Sequence, residues 1–512
     1  MDAPAGLRRS SEPSTTWSRA VVLLIGLGIA AVAFVPRALT LDEGFTVDEK
    51  LWLERSERFT NAVFDADFGK AATSGQPGVT TSWIGGLAQR TLPDDAPLRE
   101  RYARARLGIV VVSILLLLAV WLLARLLVGE MAAAVGGLVL ALDPFLIAHN
   151  RVLQLDGLEA LAMLGSVLAL LGAVRRRPSA TQLLVISGVL AGFAMLTRTL
   201  FAGFLAVVVL VVLRRDGLGV RRRFLIWTGV AAAVYLVLWP ALWVDPVSAL
   251  SRIVSTNAGA VDDAAASGFF LGQRVSPPGF VVYPVVALFR LTAFTLPAVI
   301  AASVWSRTRK GNDPRAAVTG ALLLFGASFA LFIGLGIKTA DRYLLPSLLA
   351  ADLAAAVWLT SVLSRRAVAA VAVAAALALH APGFALHPYE IADYNWLVGG
   401  PYAAQRAIVV GWGEGLDKAA RDLGRLQDAR SSTVATTRLN GFEDFFPGRT
   451  IRIEDSSLVK PGAPTPEYVL FYISSVQVGR VPDVWARYRD NTPFYELKIN
   501  GIPYVRVYKV ES

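Results

Sequence analysis

The ionisable residues at the ends of long apolar runs carry the chemical information in this chain. Asp48 and Glu49 come first, followed by Trp52, Phe59 and Val63 at helical spacing. That pattern predicts a helix lying on the membrane surface with its apolar face in lipid. Adjacent helical residues point about 100° apart, so the two carboxylates cannot both face one cavity. Asp48 is the stronger base candidate, because Glu49 is followed by Lys50 and Glu54 on more polar positions. The plain alternative is a solvated first helical turn, where acids are favoured. His149, Asn150, Arg151 and Asp156 mark a second turn, in which Arg151 and Asp156 could equally form a structural pair. Arg198 marks a third turn, Arg290 falls inside an apolar run, and Lys338, Asp341 and Arg342 stand before Tyr343. An arginine within an apolar span costs several kcal/mol unless it meets water or an anion, so Arg290 reads as functional or cavity-lining.

Arg198, Arg290, Lys338 and Arg342 suit a phosphate presented at the membrane surface. Guanidinium forks bind such a group bidentately and lysine binds it as a point charge. A carboxylate suits general-base work on an incoming hydroxyl, and helps only as the new bond forms, because an alcohol is too weakly acidic to ionise beforehand. A phosphate that leaves as an anion needs positive charge beside it rather than an acid. An anionic lipid donor and a hydroxyl acceptor would use every one of these groups.

The elements that must position them are membrane helices. Of 512 residues 55% are hydrophobic and only 17% charged, against about a quarter charged in soluble proteins. Cysteine is absent, which excludes disulfides and thiolate metal sites. The net charge of +11 comes from arginines in short turns between apolar runs, the membrane-orientation pattern rather than a nucleic-acid surface. Apolar runs near 20–37, 107–127, 131–148, 157–174, 181–197, 199–213, 223–243, 281–305, 316–337, 343–363 and 366–384 predict about eleven spans. The first is expected as an uncleaved helix, since Arg37 interrupts any small-residue cleavage site. Basic turns such as Arg175–Arg177, Arg214–Arg215, Arg221–Arg223 and Arg365–Arg366 fall on one side if the N-terminus is cytoplasmic.

The fold class is therefore an all-α polytopic membrane protein with a C-terminal extracytoplasmic α/β domain. Residues 1–19 form a cytoplasmic tail, 20–384 the transmembrane part with outer loops 38–106 and 244–280, and 385–512 the outer domain. Within that domain Gly415 to Leu426 reads as a helix, and Tyr468–Ile473 and Tyr504–Tyr508 as strands. Gly411–Trp412–Gly413–Glu414–Gly415 reads as a strand-to-helix turn. Asp65–Ala66–Asp67 is a weak metal signal, His380 and His387 make no zinc set, and no P-loop is present. No cofactor is required on this reading, and a divalent metal is unsupported.

With these residues in place, the chain resembles polyprenyl-phosphate-sugar-dependent glycosyltransferases of the protein O-mannosyltransferase type (glycosyltransferase family 39, membrane C-type fold). The likeness is carried by Val47–Asp48–Glu49, by Gln76–Pro77–Gly78–Val79–Thr80, and by Asn150–Arg151 to Asp156–Gly157. Trp239–Pro240 to Asp245–Pro246, Tyr283–Pro284 with Phe289–Arg290, and Lys338 to Asp341–Arg342–Tyr343–Leu344–Leu345–Pro346 complete it, over roughly residues 20–365. The resemblance implies sugar transfer with inversion from a polyprenyl-phosphate donor to a hydroxyl acceptor (protein, lipid or glycan) at the outer face of the plasma membrane. It implies Asp48 as base with Glu49 helping to place the acceptor. Arg151 and Asp156 would shape the cavity, and Arg198, Arg290, Lys338 and Arg342 would hold the phosphate, with Tyr283, Asp341 and Tyr343 beside them. Gln76 departs from the histidine many relatives carry there, and the late outer loop is too short for a β-trefoil domain. Both departures point away from a protein acceptor and toward the broader bacterial group that includes lipid A aminoarabinose transferases. A lipid-linked sugar flippase is the competing reading; it should show repeat symmetry or charges near mid-membrane.

Overall fold

The computed structural model describes residues 17–510 apart from 177–178, 218, 266–267, 276–278, 310–312, 337–338, 364–369, 371–372, 376, 455–457, 459–461 and 463. Most of the expected cytoplasmic tail, and Lys338, therefore lie outside the described residues. Among the described residues, six helices are long and apolar enough to cross a membrane: Arg19–Ala38, Leu98–Val128, Asp156–Arg175, Ala180–Thr197, Pro314–Gly334 and Asp341–Val362. Two bent pairs raise the number to eight if each is one span. The chain is a multi-pass membrane protein.

The count falls short of eleven for identifiable reasons. The run at 199–213 is broken into Thr199–Ala202 and Phe204–Asp216. Val220–Leu238 begins with Arg221, Arg222 and Arg223, and much of the run at 366–384 lies outside the described residues. The break at Arg198 does separate 181–213 into two helical runs, as the basic turns required.

Local sequence sets the bends. Asp143 accepts a hydrogen bond from the Leu146 backbone N–H and Pro144 follows as the first helical residue. That stop-and-restart signal splits Glu130–Leu142 from Pro144–Arg151 at 61°. The run at 281–305 is likewise no single straight helix: Gly279–Arg290 and Thr295–Arg309 meet at 114°. Arg290 accordingly ends the first limb instead of sitting mid-span, so its head reaches polar partners at the bend.

The helix after Asp48, Glu49–Phe64, also differs from expectation. Its Trp52 and Phe59 are buried, and they face protein instead of lipid. Phe59 meets the Trp83 ring edge-on at 5.1 Å. Gly78, at φ +62°, brings the backbone so close to Trp52 that a Cβ there would lie 2.2 Å from the indole. Helix Val79–Gln89 starts from that glycine and packs along Glu49–Phe64. The apolar stripe was read correctly as amphipathic, but a neighbouring helix covers it.

The C-terminal segment holds a five-stranded mixed sheet. Its strands are β1 (Thr433–Thr436), β2 (Arg449–Arg452), β3 (Tyr468–Tyr472), β4 (Tyr495–Ile499) and β5 (Ile502–Lys509). The order is β2-β1-β3-β5-β4, with β1 parallel to β2 and β3, and β5 antiparallel to β3 and β4. β1 and β3 are buried along their whole length, which is why Tyr468–Tyr472 reads as a continuous apolar run. Helix Leu416–Leu423 follows the glycine-rich turn, but no strand precedes that turn.

Candidate active site around Asp48

Asp48 and Glu49 diverge as neighbouring helical residues must. The Glu49 side chain is fully buried: Oε1 accepts from Arg106 Nε at 2.7 Å and from the Leu153 backbone at 2.9 Å. Its Oε2 accepts from Arg106 Nη2 at 2.6 Å and from the Thr46 backbone at 2.8 Å. The Asp48 side chain is 42% exposed, and its Oδ2 lies 3.7 Å from Arg342 Nη2. The same oxygen accepts a hydrogen bond from Trp412 Nε1 at 2.8 Å.

Behind Asp48 runs a ladder of alternating charge. Arg342 Nε is 3.7 Å from Asp156 Oδ2, and Asp156 Oδ1 accepts from Arg198 Nη2 at 3.0 Å. Arg198 Nη1 then donates to Glu159 Oε2 at 2.8 Å. Arg198 is charge-paired with two carboxylates, with its guanidinium 4.9 Å from the Tyr343 ring. Arg342 differs: its guanidinium stacks 4.1 Å from the Trp412 ring, and among the described residues its side chain donates no hydrogen bond shorter than those 3.7 Å approaches. Of the described candidates Arg198, Arg290 and Arg342, it is the one with most capacity left for an anion.

Other expected residues are held by protein partners. Arg290 donates to Asp341 Oδ2 at 3.0 and 2.5 Å and to the carbonyls of Ile391 and Asp393 at 2.7 and 2.8 Å. Asp341 also accepts from the Arg342 backbone at 2.8 Å, so this pair fixes the turn that carries Arg342. Arg151 donates to Glu390, to the Pro388 carbonyl and to the carbonyls of Leu39 and Thr40. It ties the end of the first helix to the C-terminal segment, and the suspected Arg151–Asp156 pair does not form. Tyr283 is buried and lines an apolar groove of about 430 Å³ together with Leu291, Val299, Leu323, Leu344 and Ser347.

The C-terminal segment supplies residues that the sequence reading passed over. Besides Trp412, Asn440 donates to the Val47 carbonyl at 3.0 Å, and Lys50 bridges Glu443 and Asp444 at 2.8 and 2.7 Å. Glu414 accepts from the Trp412 backbone at 2.6 Å and from the Tyr472 hydroxyl at 2.7 Å. Burial pushes the Glu414 carboxyl above its ordinary range, against those two hydrogen bonds. His149, buried with neither ring nitrogen hydrogen-bonded among the described residues, lies 5.7 Å from the Trp412 ring. Glu159 was legible in principle, since it stands one helical turn from Asp156 on the same face. Trp412 was not, because its contacts span more than 360 residues of chain. The described residues hold no group of three His, Asp or Glu side chains arranged to bind a metal ion.

A sequence profile for the dolichyl-phosphate-mannose-protein mannosyltransferase family matches residues 99–243. Among solved structures, ArnT from Cupriavidus metallidurans bound to undecaprenyl phosphate aligns with a TM-score of 0.52 at 16% identity, covering 96% of this chain and 98% of that one. Its apo form aligns at 0.50 and 16% identity, covering 95% and 98%. The fold is that of the GT-C glycosyltransferases. The GT-C likeness extends over the C-terminal segment as well as the helices, since nearly the whole of both chains is covered. No curated protein matches the chain in sequence.

Proposed function

We propose that the chain transfers a sugar, with inversion, from a polyprenyl-phosphate donor to a hydroxyl acceptor at the extracytoplasmic membrane face, with Asp48 as general base. The observation that carries this reading is the 3.7 Å approach of Arg342 to Asp48. A half-exposed carboxylate from the first outer loop and an unsaturated guanidinium from a distant helix share one rim. The acceptor oxygen attacks the anomeric carbon opposite the phosphate as its proton passes to Asp48. The bond from that carbon to the phosphate oxygen breaks with its electron pair, and Arg342 balances the charge that collects there. An oxocarbenium-like transition state gains from carboxylates nearby, and Asp156, 3.7 Å from Arg342 Nε, is a further one.

Arg198 holds Asp156 in place, the Arg290–Asp341 pair holds the Arg342 turn, and Glu49 anchors the loop. The apolar groove lined by Tyr283 suits the prenyl chain. Arg342 supplies the positive charge a metal would supply elsewhere, so the reaction needs no divalent ion on this reading. The bilayer and the lipid-linked donor are the partners implied, and the acceptor is a protein, lipid or glycan hydroxyl. The sugar is unassigned, and mannose is favoured only by the family profile.

The test is transfer by the purified full chain from a panel of polyprenyl-phosphate sugars, with and without EDTA. Asp48→Asn and Arg342→Ala are each expected to lose at least about tenfold in rate, the worth of one charge-assisted contact in the transition state. EDTA is expected to leave the rate unchanged. Near wild-type transfer by Asp48→Asn would remove the base.

A further inference from the structure

We infer that Trp412 is a positioning residue that couples the base to the phosphate-facing cation, so that the C-terminal domain completes the active site. This rests on the transferase reading above. One indole makes both contacts. Its Nε1–H donates to Asp48 Oδ2 at 2.8 Å, leaving Oδ1 without a hydrogen bond among the described residues and turned over to an acceptor. Its ring lies 4.1 Å from the Arg342 guanidinium carbon. Stacking of this kind engages the face of the guanidinium and leaves its N–H edge for an anion. Asp48 makes no other side-chain hydrogen bond among the described residues, so without the indole its half-exposed carboxylate would sample several rotamers.

The backbone around Trp412 is built to bring it there. Its carbonyl accepts from the Val47 N–H at 3.0 Å, directly beside Asp48. Its own N–H is held by Glu414, and the Gly413 N–H donates to the Tyr472 hydroxyl at 2.8 Å. Gly411 and Gly413 have φ of +93° and +122°. A Cβ at Gly413 would lie 2.8 Å from the Val47 nitrogen, and one at Gly411 2.8 Å from the Tyr472 hydroxyl. Close approach of two backbones and left-handed φ both demand glycine here. The glycine-rich turn therefore has a specific product: a tryptophan from the sheet domain placed between an acid and an arginine of the membrane part.

Two variants separate the contacts. Trp412→Phe keeps an aromatic face and loses the N–H, whereas Trp412→Ala loses both. For Trp412→Phe the expected result is about a tenfold fall in kcat with the donor KM within about twofold. For Trp412→Ala the donor KM also rises at least about fivefold, and binding of a long-chain polyprenyl phosphate without sugar weakens by a similar factor. Thermal midpoints are measured alongside. Wild-type transfer with an inert Asp48→Asn and an unaltered Trp412→Phe would overturn this inference and leave the transferase reading standing. Equal losses in both variants, in step with a lowered thermal midpoint, would assign Trp412 a merely structural role. A wild-type chain that neither transfers from nor binds polyprenyl phosphate would overturn the transferase reading and this inference with it.

Discussion

Asp48 and Glu49 share a peptide bond and have opposite surroundings. Helical geometry required that much, and which carboxylate stayed open was decided by Arg106, which takes Glu49 into a fully buried pair. Arginine follows the same logic: Arg151, Arg198 and Arg290 are spent on protein acceptors, and Arg342 is left available. Residue type alone could not rank them, because a guanidinium's role depends on how many acceptors reach it. Asp393, whose carbonyl helps hold Arg290, gives a prediction at this scale. Burial pushes its carboxyl up from 3.8 to about 6, opposed by Arg290. An acid with a raised folded pKa binds its proton more tightly folded than unfolded. Its contribution is therefore complete below pH 3.8 and lost as the pH rises to about 6. The stability difference between wild type and Asp393→Asn, followed by denaturation in detergent, should fall across that window by at most about 3 kcal/mol and stay flat above it.

Helix Glu49–Phe64 shows how an element can be read correctly and placed wrongly. Its stripe of Trp52, Phe59 and Val63 was visible as periodicity, which cannot distinguish lipid from a partner helix, since both accept apolar side chains. Helix Val79–Gln89 supplies the partner. The element is anchored at its N-terminus by Glu49 to Arg106 on Leu98–Val128, both side chains having no exposed surface. Glu49→Ala would leave Arg106 buried and uncompensated, so a loss of about 3–5 kcal/mol is expected. It would be read as a lower thermal midpoint and a reduced yield of monodisperse protein. A midpoint unchanged within error would reject the anchoring role. The run at 281–305 makes the complementary point. Its composition reads as one span, and the chain turns at Leu291–Phe294 because the Arg290 head finds Asp341 and two carbonyls there. Hydropathy averages over a window and is blind to a single charge–charge pairing.

For the whole molecule, the basic turns predict an orientation with the C-terminal domain outside. The absence of native cysteine makes this directly testable. In intact cells, a membrane-impermeant maleimide is expected to label Ser431→Cys, on the exposed surface of that domain. It should spare Thr308→Cys, exposed at the end of Thr295–Arg309, until the membrane is opened. The reverse pattern would invert the topology and remove the outer-face chemistry. The sequence by itself determined the membrane class, the boundaries of most long helices, the mixed helix-and-strand character of the last quarter and the family likeness. These rest on composition and short-range periodicity, which act within one element. Only the tertiary structure decided that Asp48 meets Arg342, that Asp156 pairs with Arg198 rather than Arg151, and that Trp412 reaches Asp48 from far along the chain. Those pairings lie 42 to 364 residues apart. Charge and hydrogen-bond complementarity select them only once the helices have packed, and no local pattern encodes which of several arginines a given carboxylate will reach.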